Sequence, residues 1–467
     1  MSLLHRRHGV RLALVGVLLA GAGAPTAAQG PAPPPPPAGP EGDAPPPPVG
    51  PDGEEPAGPA PVEKWLDFTG FWEARGGLRT RRDPHQKDAS VGETRLHLDW
   101  EKPWQKVAFK VAADFIYDPV FDHHAVRLDS GQGWVDLRQA NVTFSPAEAV
   151  DVKIGRQILT WGTGDLIFVN DLFPKDWQAF FIGRDVEYLK APSDALKISV
   201  FTDLADLDVV YTPCFDADRN IRGRRLSYYN ATGGRIVGRN AVLDADVPDE
   251  WFDDDEWAAR LSRTVGGYEL AAYGYWGRWK SPGGIDPVSA RAIFPRLNTY
   301  GGSVRGPLGR GIVNVEAAWY DSRQDRAGGD PFVNNSQLRL LVGYEQDMPE
   351  IARDLTVGTQ YYVEWMADYD DYRRTLRRAS PRADERRHVL TFRITKLLMN
   401  QNLTLSLFAY YSPSDADAYL RPKVAYKIDD NWSVEAGGNI FLEKYDHTFF
   451  GQFHTNTNLY AALRHAF

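Results

Sequence analysis

Beyond residue 64 the chain alternates. Apolar and polar side chains exchange at every second position over stretches near ten residues, and no apolar run approaches the roughly 20 residues of a membrane helix. In 66–75 one face reads Leu66, Phe68, Gly70, Trp72, Ala74, and the other reads Asp67, Thr69, Glu73, Arg75. Thr94, Leu96, Leu98 and Trp100 then oppose Arg95, His97, Asp99 and Glu101. Val107, Phe109, Val111, Ala113, Phe115 and Tyr117 oppose Lys106, Lys110 and Asp114, and Val150, Val152 and Ile154 oppose Asp151 and Lys153. A period of two belongs to strands, whose successive side chains point to opposite faces. Further strands are expected near 133–145, 193–201, 205–212, 255–265, 268–279, 297–305, 311–321, 336–346, 354–366, 387–397, 402–411, 418–428, 431–442 and 456–467, for a total of about eighteen. The 133–145 segment changes phase between Arg138 and Ala140, as a β-bulge does.

The connections alternate too. One set is short: 102–105, 145–148, 265–267, 307–310 and 429–431. The other is long: 80–92, 118–132, 159–191, 213–253, 280–295, 322–335, 367–385 and 443–455. Short turns at one end and long loops at the other are the pattern of an outer-membrane barrel. Trp and Tyr stand near strand ends, at Trp100, Trp104, Tyr117, Trp279, Trp319, Tyr361, Trp432 and Tyr460, where interfacial girdles belong. In hydrocarbon every backbone N–H and C=O needs a partner, so a β protein can span only as a closed barrel. The expected fold is all-β: one closed antiparallel transmembrane β-barrel over 65–467, wide enough for an aqueous lumen. Lumen-facing positions can be charged, which reconciles a membrane protein with a mean hydropathy of −0.41. The bases expected to line the pore are Arg75, Arg79, Arg95, Lys106, Lys110 and Lys153. Asp67, Glu73, Asp99, Asp114 and Asp151 share their faces.

The most distinctive segment runs Ile154-Gly155-Arg156-Gln157-Ile158-Leu159-Thr160-Trp161-Gly162-Thr163-Gly164-Asp165. It resembles the "GRQ…WG" stretch of porin-like families, including the alginate-export-type barrels of about eighteen strands. That resemblance implies a strand whose following loop folds inward and narrows the pore. The stretch 166–190 is aromatic and charged, as suits a loop packed inside a lumen; an ordinary extracellular loop is the alternative. The expected constriction residues are Trp161, Gly162, Gly164, Asp165, Phe173, Trp177 and Arg184. Arg156 has the parity of lipid-facing Val152 and Ile154, which a bulge or snorkelling near the rim would explain.

The ends of the chain are different material. Arg6, Arg7 and Arg11 precede the apolar run 12–20, and Thr26-Ala27-Ala28 offers small residues for a peptidase, so 1–28 reads as a signal peptide. Residues 29–64 form a linker rich in proline, with runs at Pro33–Pro37 and Pro45–Pro48, and it has nothing to bury. At about 3.1 Å per residue it would reach roughly 100 Å as a periplasmic tether. Phe467, with Leu463, Ala461 and Leu459 on its face, resembles the C-terminal strand signal read by the barrel-assembly machinery. His465 stands where that family prefers an aromatic.

Other chemistries find little support. The single Cys214 excludes an internal disulfide. The net charge is −9; loss of the three leader arginines takes it to −12, and an acidic chain with no basic cluster is a poor nucleic-acid ligand. Gly162-Thr163-Gly164 lacks the helix and the Lys-Ser/Thr of a phosphate loop. Asp122-His123-His124 and the acidic run at Asp253-Asp254-Asp255 read better as polar loop surface than as metal sites. No Gly-x-Ser-x-Gly elbow and no spacing pairs a base with a nucleophile. No cofactor, metal or catalytic residue is expected. The expected function is a passive channel for polar or anionic solutes, with outer-membrane lipid around it. Polysaccharide export with a periplasmic partner held by the tether is the first alternative, and an enzyme or a plugged structural barrel is the second.

Overall fold

The computed structural model describes residues 67–121, 125–128, 133–376 and 381–467. The expected leader, the linker and Asp122-His123-His124 lie outside the described residues.

Eighteen strands close into one antiparallel barrel. The first seven are β1 (Thr69–Arg79), β2 (Ala89–Trp104), β3 (Val107–Tyr117), β4 (Val135–Ala147), β5 (Val150–Ile158), β6 (Pro192–Val200) and β7 (Asp206–Thr212). After a small hairpin, β8 (Tyr228–Asn230) and β9 (Arg235–Val237), the barrel resumes with β10 (Glu256–Val265) and β11 (Tyr268–Arg278). A second small pair, β12 (Gly284–Ile285) and β13 (Ala292–Ile293), precedes β14 (Arg296–Leu308), β15 (Gly311–Ser322), β16 (Gln337–Asp347) and β17 (Leu355–Met366). The last five are β18 (Arg386–Leu398), β19 (Leu403–Ser412), β20 (Asp417–Lys427), β21 (Trp432–Leu442) and β22 (Asn458–Ala466). Each barrel strand pairs with its neighbours in the barrel, and β1 pairs with β22 as well as β2, so the sheet has no free edge. At about 3.3 Å per residue and a tilt near 40°, an eleven-residue strand such as β1 rises roughly 28 Å, enough for an apolar band of about 25 Å.

All eighteen expected strands are present. The expected phase change is also there: the β3–β4 register slips between Ala112↔Gln139 and Ala113↔Leu137, which leaves Arg138 as the extra residue of a bulge. Connections of two to seven residues lie at one end and the long loops at the other. The sorting has one exception, the four-residue link 413–416 on the long-loop side. β2 begins at Ala89, so the first long loop is shorter than expected.

The outward face carries Trp257, Trp276, Tyr300, Trp319 and Trp365 toward the long-loop rim and Trp104 toward the short-turn rim, all exposed. Such rings suit the interface between hydrocarbon and water. Two of the expected girdle residues face the other way. Trp279 and Tyr460 are buried on the lumen side, where Trp279 packs 5.7 Å from Tyr320 and Tyr460 lies beneath Arg75 at 5.2 Å.

The barrel seam ends at Phe467. Its N–H donates to the Gly70 carbonyl and its carbonyl accepts from the Gly70 N–H, each at 3.0 Å, while its ring is exposed on the outer face. Deleting Phe467 removes the last reciprocal pair of the closing ladder and its apolar side chain. The yield of heat-modifiable protein in the membrane fraction should fall sharply. Normal yield with normal gel mobility would contradict this.

Candidate functional site in the barrel lumen

The loop 159–191 turns inward, and chemistry explains why. Phe173, Phe180, Phe181, Ile182 and Leu189 are all 5% exposed or less. They meet aromatic side chains from the opposite wall: Phe181 lies 5.2 Å from Tyr419 and 5.4 Å from Phe441, and Phe180 lies 5.8 Å from Tyr419. Each such side chain gains roughly 1.5–3 kcal/mol from leaving water, so an apolar core forms inside a barrel whose outer face is also apolar. A single turn of helix, α1 (Trp177–Phe181), presents the phenylalanines and is capped by Asp176, whose carboxylate accepts from the Ala179 N–H at 2.8 Å.

Polar anchors fix the loop's path. The central one is Glu316 on β15, fully buried. Its carboxylate accepts from the backbone N–H groups of Thr163, Gly164 (2.6 Å) and Asn170 (3.2 Å), from the Thr163 hydroxyl (3.1 Å) and from Asn170 Nδ2 (2.7 Å). Gly162, at φ +82°, takes the left-handed turn that brings these donors in; a Cβ there would stand 3.3 Å from the Glu316 carboxylate. A buried carboxylate with no basic partner depends on this set of neutral donors, each hydrogen bond to a charged group being worth about 1.5–3 kcal/mol. Around this pin, Tyr320 donates to the Val169 carbonyl at 2.6 Å and Tyr410 to the Leu166 carbonyl at 2.8 Å. On the far side Arg138, at the bulge, donates to the Lys190 carbonyl at 2.9 Å and lies 4.7 Å over the Tyr188 ring.

The expected constriction residues all belong to this packing. Trp161 meets Phe173 edge-on at 4.9 Å. Trp177 donates to Asp218 at 3.1 Å, joining the loop to 213–255. Asp165 pairs with Arg393 at 2.5 Å, and Arg184 pairs with Glu93.

The expected pore-lining bases divide. Arg75 and Arg95 face the lumen but are 3% and 1% exposed. Arg75 is held by Glu73 at 3.0 Å and Glu435 at 2.7 Å, and Arg95 by Glu93 at 2.7 Å and by Asp114, under the Tyr188 ring at 4.2 Å. Arg79 spends its donors on the carbonyls of Lys87, Ala89 and Arg225. These three brace loops to wall and present little charge to a passing solute. Lys106 does not face the lumen, because it lies exposed in the two-residue turn between β2 and β3. Lys110 is on the lumen face beside Asp99 (3.4 Å) and Glu101 (3.0 Å). Lys153 keeps the lumen side with no ion pair among the described residues. Arg156 does point outward, near the long-loop rim. It is satisfied there by Asp194 through bonds of 2.9 and 2.8 Å and by the Leu128 carbonyl, so it needs neither bulge nor snorkelling.

Open volume remains between the loop and the wall formed by β18–β22. A cavity of about 290 Å³ is lined by Leu166, Arg184 and Asp185 of the loop and by Arg393, Thr404, Ser406, Arg421, Lys423 and Glu435 of the wall. A neighbouring one of about 200 Å³ shares Asp185, Lys423 and Glu435 and adds Lys427 and Arg464. A third, of about 80 Å³, lies beyond Arg393 and touches Thr163, Asp165, Arg305, Glu345 and Gln360. Lys423 stands 3.7 Å from Glu435 and Arg464 2.8 Å from Glu73. Arg421 makes no ion pair among the described residues and lies 4.0 Å over the Phe180 ring. None of Arg393, Arg421, Lys423 or Arg464 was singled out from the sequence. Alternation marks them as lumen-facing, but only the loop's position says which part of the lumen stays open.

No protein-family model matches the chain, and no curated protein matches it in sequence. Among solved structures it is similar to OccAB3 of Acinetobacter baumannii, at 12% identity and a TM-score of 0.50, over 86% of this chain and 99% of that one. It is also similar to OccAB4 of the same organism, at 8% identity and a TM-score of 0.51, over 86% and 97%. At such identities the likeness is one of fold.

Two predictions follow from the loops. Glu316→Ala strips five donors of their acceptor while the strand ladder persists. Cleavage of 159–191 by added protease should rise at least several-fold, with the unheated gel mobility of the barrel kept; unchanged cleavage would show that Glu316 does not hold the loop. The second concerns Asp216, in the loop 213–255. Burial and the neighbouring Asp194 push its carboxyl up to about 6, against the pull of Lys280 and Arg156. The folded loop therefore holds this proton more tightly than the unfolded chain does. Its packing is firmest below the ordinary carboxylate value of about 3.9 and weakens as pH rises to about 6. Protease nicking of 213–255, normalised to Asp216→Asn, should be faster at about pH 7.5 than at about pH 5. A ratio that does not change with pH would refute the assignment.

Proposed function

We propose that the chain is an outer-membrane channel through which small polar solutes, anions by preference, pass passively, and that it is not an enzyme. The observation that carries this reading is the inward loop. It narrows an eighteen-stranded lumen without sealing it with apolar side chains everywhere, and the volume left along β18–β22 is lined by Arg393, Arg421, Lys423 and Arg464. In a confined, partly desolvated passage such bases attract anions directly, and interleaved acids such as Asp185 and Glu435 keep each contact weak enough to release. Arg421 and Lys427, which line these cavities and make no ion pair among the described residues, carry most of the preference, since Arg393, Lys423 and Arg464 have carboxylates beside them. A leader at 1–28 would deliver the chain for export, and the linker 29–64 would lie in the periplasm.

The second reading is the alginate-export-type pore suggested by the "GRQ…WG" stretch, with the proline-rich linker holding a periplasmic partner at high local concentration beneath the barrel. It shares the strand number and the basic lining. A polymer needs a continuous path, and here the loop packs against most of the opposite wall, which favours small solutes.

Purified protein in a planar bilayer should give discrete conductance steps, and a salt gradient should give a reversal potential of anion-selective sign. Arg421→Glu should reduce or invert that potential. Cation selectivity in the unaltered protein would refute the anion preference, and no conductance at all would leave a plugged barrel. Loss of surface polysaccharide on gene deletion, with no change in small-solute uptake, would favour export.

A further inference from the structure

The loop 213–255 does more than cover the mouth of the barrel: its last turn hangs over the outside of the rim. The side chains that hold it there have outward parity. Arg278, two residues beyond outward-facing Trp276 on β11, donates to the Asp254 carboxylate at 2.7 Å. Arg296, at the start of β14 and on the face of Tyr300, donates to the Asp253 carbonyl at 3.3 Å. The Phe252 N–H donates to the Pro213 carbonyl at 2.8 Å, just past the end of β7. Phe252 is held at φ +69°, a conformation that a bulky side chain adopts only when its surroundings impose it. The result is an exposed aromatic pair. Phe252 is 68% and Trp251 46% exposed, with ring centroids 6.0 Å apart. Beneath them on the outer face, Tyr211 and Trp257 pack at 4.6 Å and Trp276 and Tyr300 at 6.0 Å.

We propose that Trp251 and Phe252 form a loop-borne membrane anchor that enters the headgroup and upper acyl region of the lipid leaflet on the long-loop side, above β7–β14. The inference rests on reading the chain as an outer-membrane barrel. Three observations favour lipid as the occupant. The pair is continuous with the outward girdle of Tyr211, Trp257, Trp276 and Tyr300. Aromatic rings with charged neighbours suit an interface that is apolar on one side and wet on the other. The Asp254 carboxylate is tied back to Arg278 and the Asp253 carbonyl to Arg296, while the Asp249, Glu250 and Asp253 carboxylates stay exposed at the wet side of the two rings. A loop with no such role would gain nothing from holding a large apolar ring in a strained, solvent-facing position.

Nitroxide labels in lipid vesicles test this. In a Cys214→Ala background, single cysteines are placed at Phe252→Cys, at Val315→Cys on the outward face of β15, and at Val288→Cys, a loop residue 93% exposed. Trp251→Cys repeats the measurement if Phe252→Cys does not assemble. Relaxation by dissolved oxygen is compared with relaxation by a water-soluble nickel chelate. The label at 252 should resemble the one at 315, with oxygen the stronger relaxant several-fold, and the label at 288 should show the reverse. A label at 252 that behaves like 288 while 315 lies in lipid overturns the anchor alone. A label at 315 that also behaves like 288 overturns the membrane-barrel reading on which the anchor rests. Spin–spin broadening at 252 that disappears on dilution with unlabelled protein assigns the patch to a second copy of the chain and likewise overturns the proposal.

Discussion

Hydrocarbon offers no partner to a peptide group, and everything else in this protein depends on how that constraint is met. The solution is the β1–β22 seam. Once β22 pairs with β1 from Phe71↔Ala466 through Arg79↔Asn458, every strand of the barrel has two neighbours. Closure in turn fixes which side chains meet water. Alternation sends one residue of each pair outward and the other inward, so most of the charged side chains within the strands, such as Glu73, Arg75, Glu93 and Arg95, gather on the lumen face.

A lumen lined with charge is not automatically a conduit. Much of it here is used internally. Glu93 holds Arg95 and Arg184, Glu73 holds Arg75 and Arg464, and Asp136 holds Arg219. Buried charges of this kind persist only when their bonds are complete, and they add direction to an apolar cluster that has little of its own. The aromatic core under the loop supplies the bulk of the attraction, and Glu316 and its neighbours decide where the backbone runs. What is left over, along β18–β22, is a row of polar cavities.

The sequence makes the strands legible because alternation is local: each strand carries its own period, and even the bulge at Arg138 shows as a slip of phase. The direction of 159–191 is half legible. Its aromatic content signals burial, but the partners that receive it, Tyr320, Tyr410 and Tyr419, come from strands more than a hundred residues away, and nothing local links them. The lumen bases show the same limit. Arg75, Arg79 and Arg95 have the right parity, and the acids two residues before Arg75 and Arg95, Glu73 and Glu93, could have been read as their partners; Glu435, the Gly183 carbonyl and the Arg225 carbonyl, which complete their burial, are distant in sequence. Arg421 and Lys153 have the same parity and make no ion pair among the described residues. Glu316 carries a faint signal, a lone acid among Val315, Ala317 and Ala318, which becomes meaningful only with the glycine-rich turn at Gly162-Thr163-Gly164 set against it. Trp279 and Tyr460 show that an aromatic near a strand end can belong to a lumen core as readily as to a girdle.

The central claim is that 159–191 lies inside the lumen against β15 and β18. The most direct measurement is chemical cross-linking between Asp165→Cys and Arg393→Cys in a Cys214→Ala background, using a short thiol-specific cross-linker on folded protein in lipid. The account predicts an efficient intramolecular link that is absent from either single variant and from heat-unfolded protein. A folded, membrane-inserted double variant whose two cysteines each react with small thiol reagents but never with one another would contradict it.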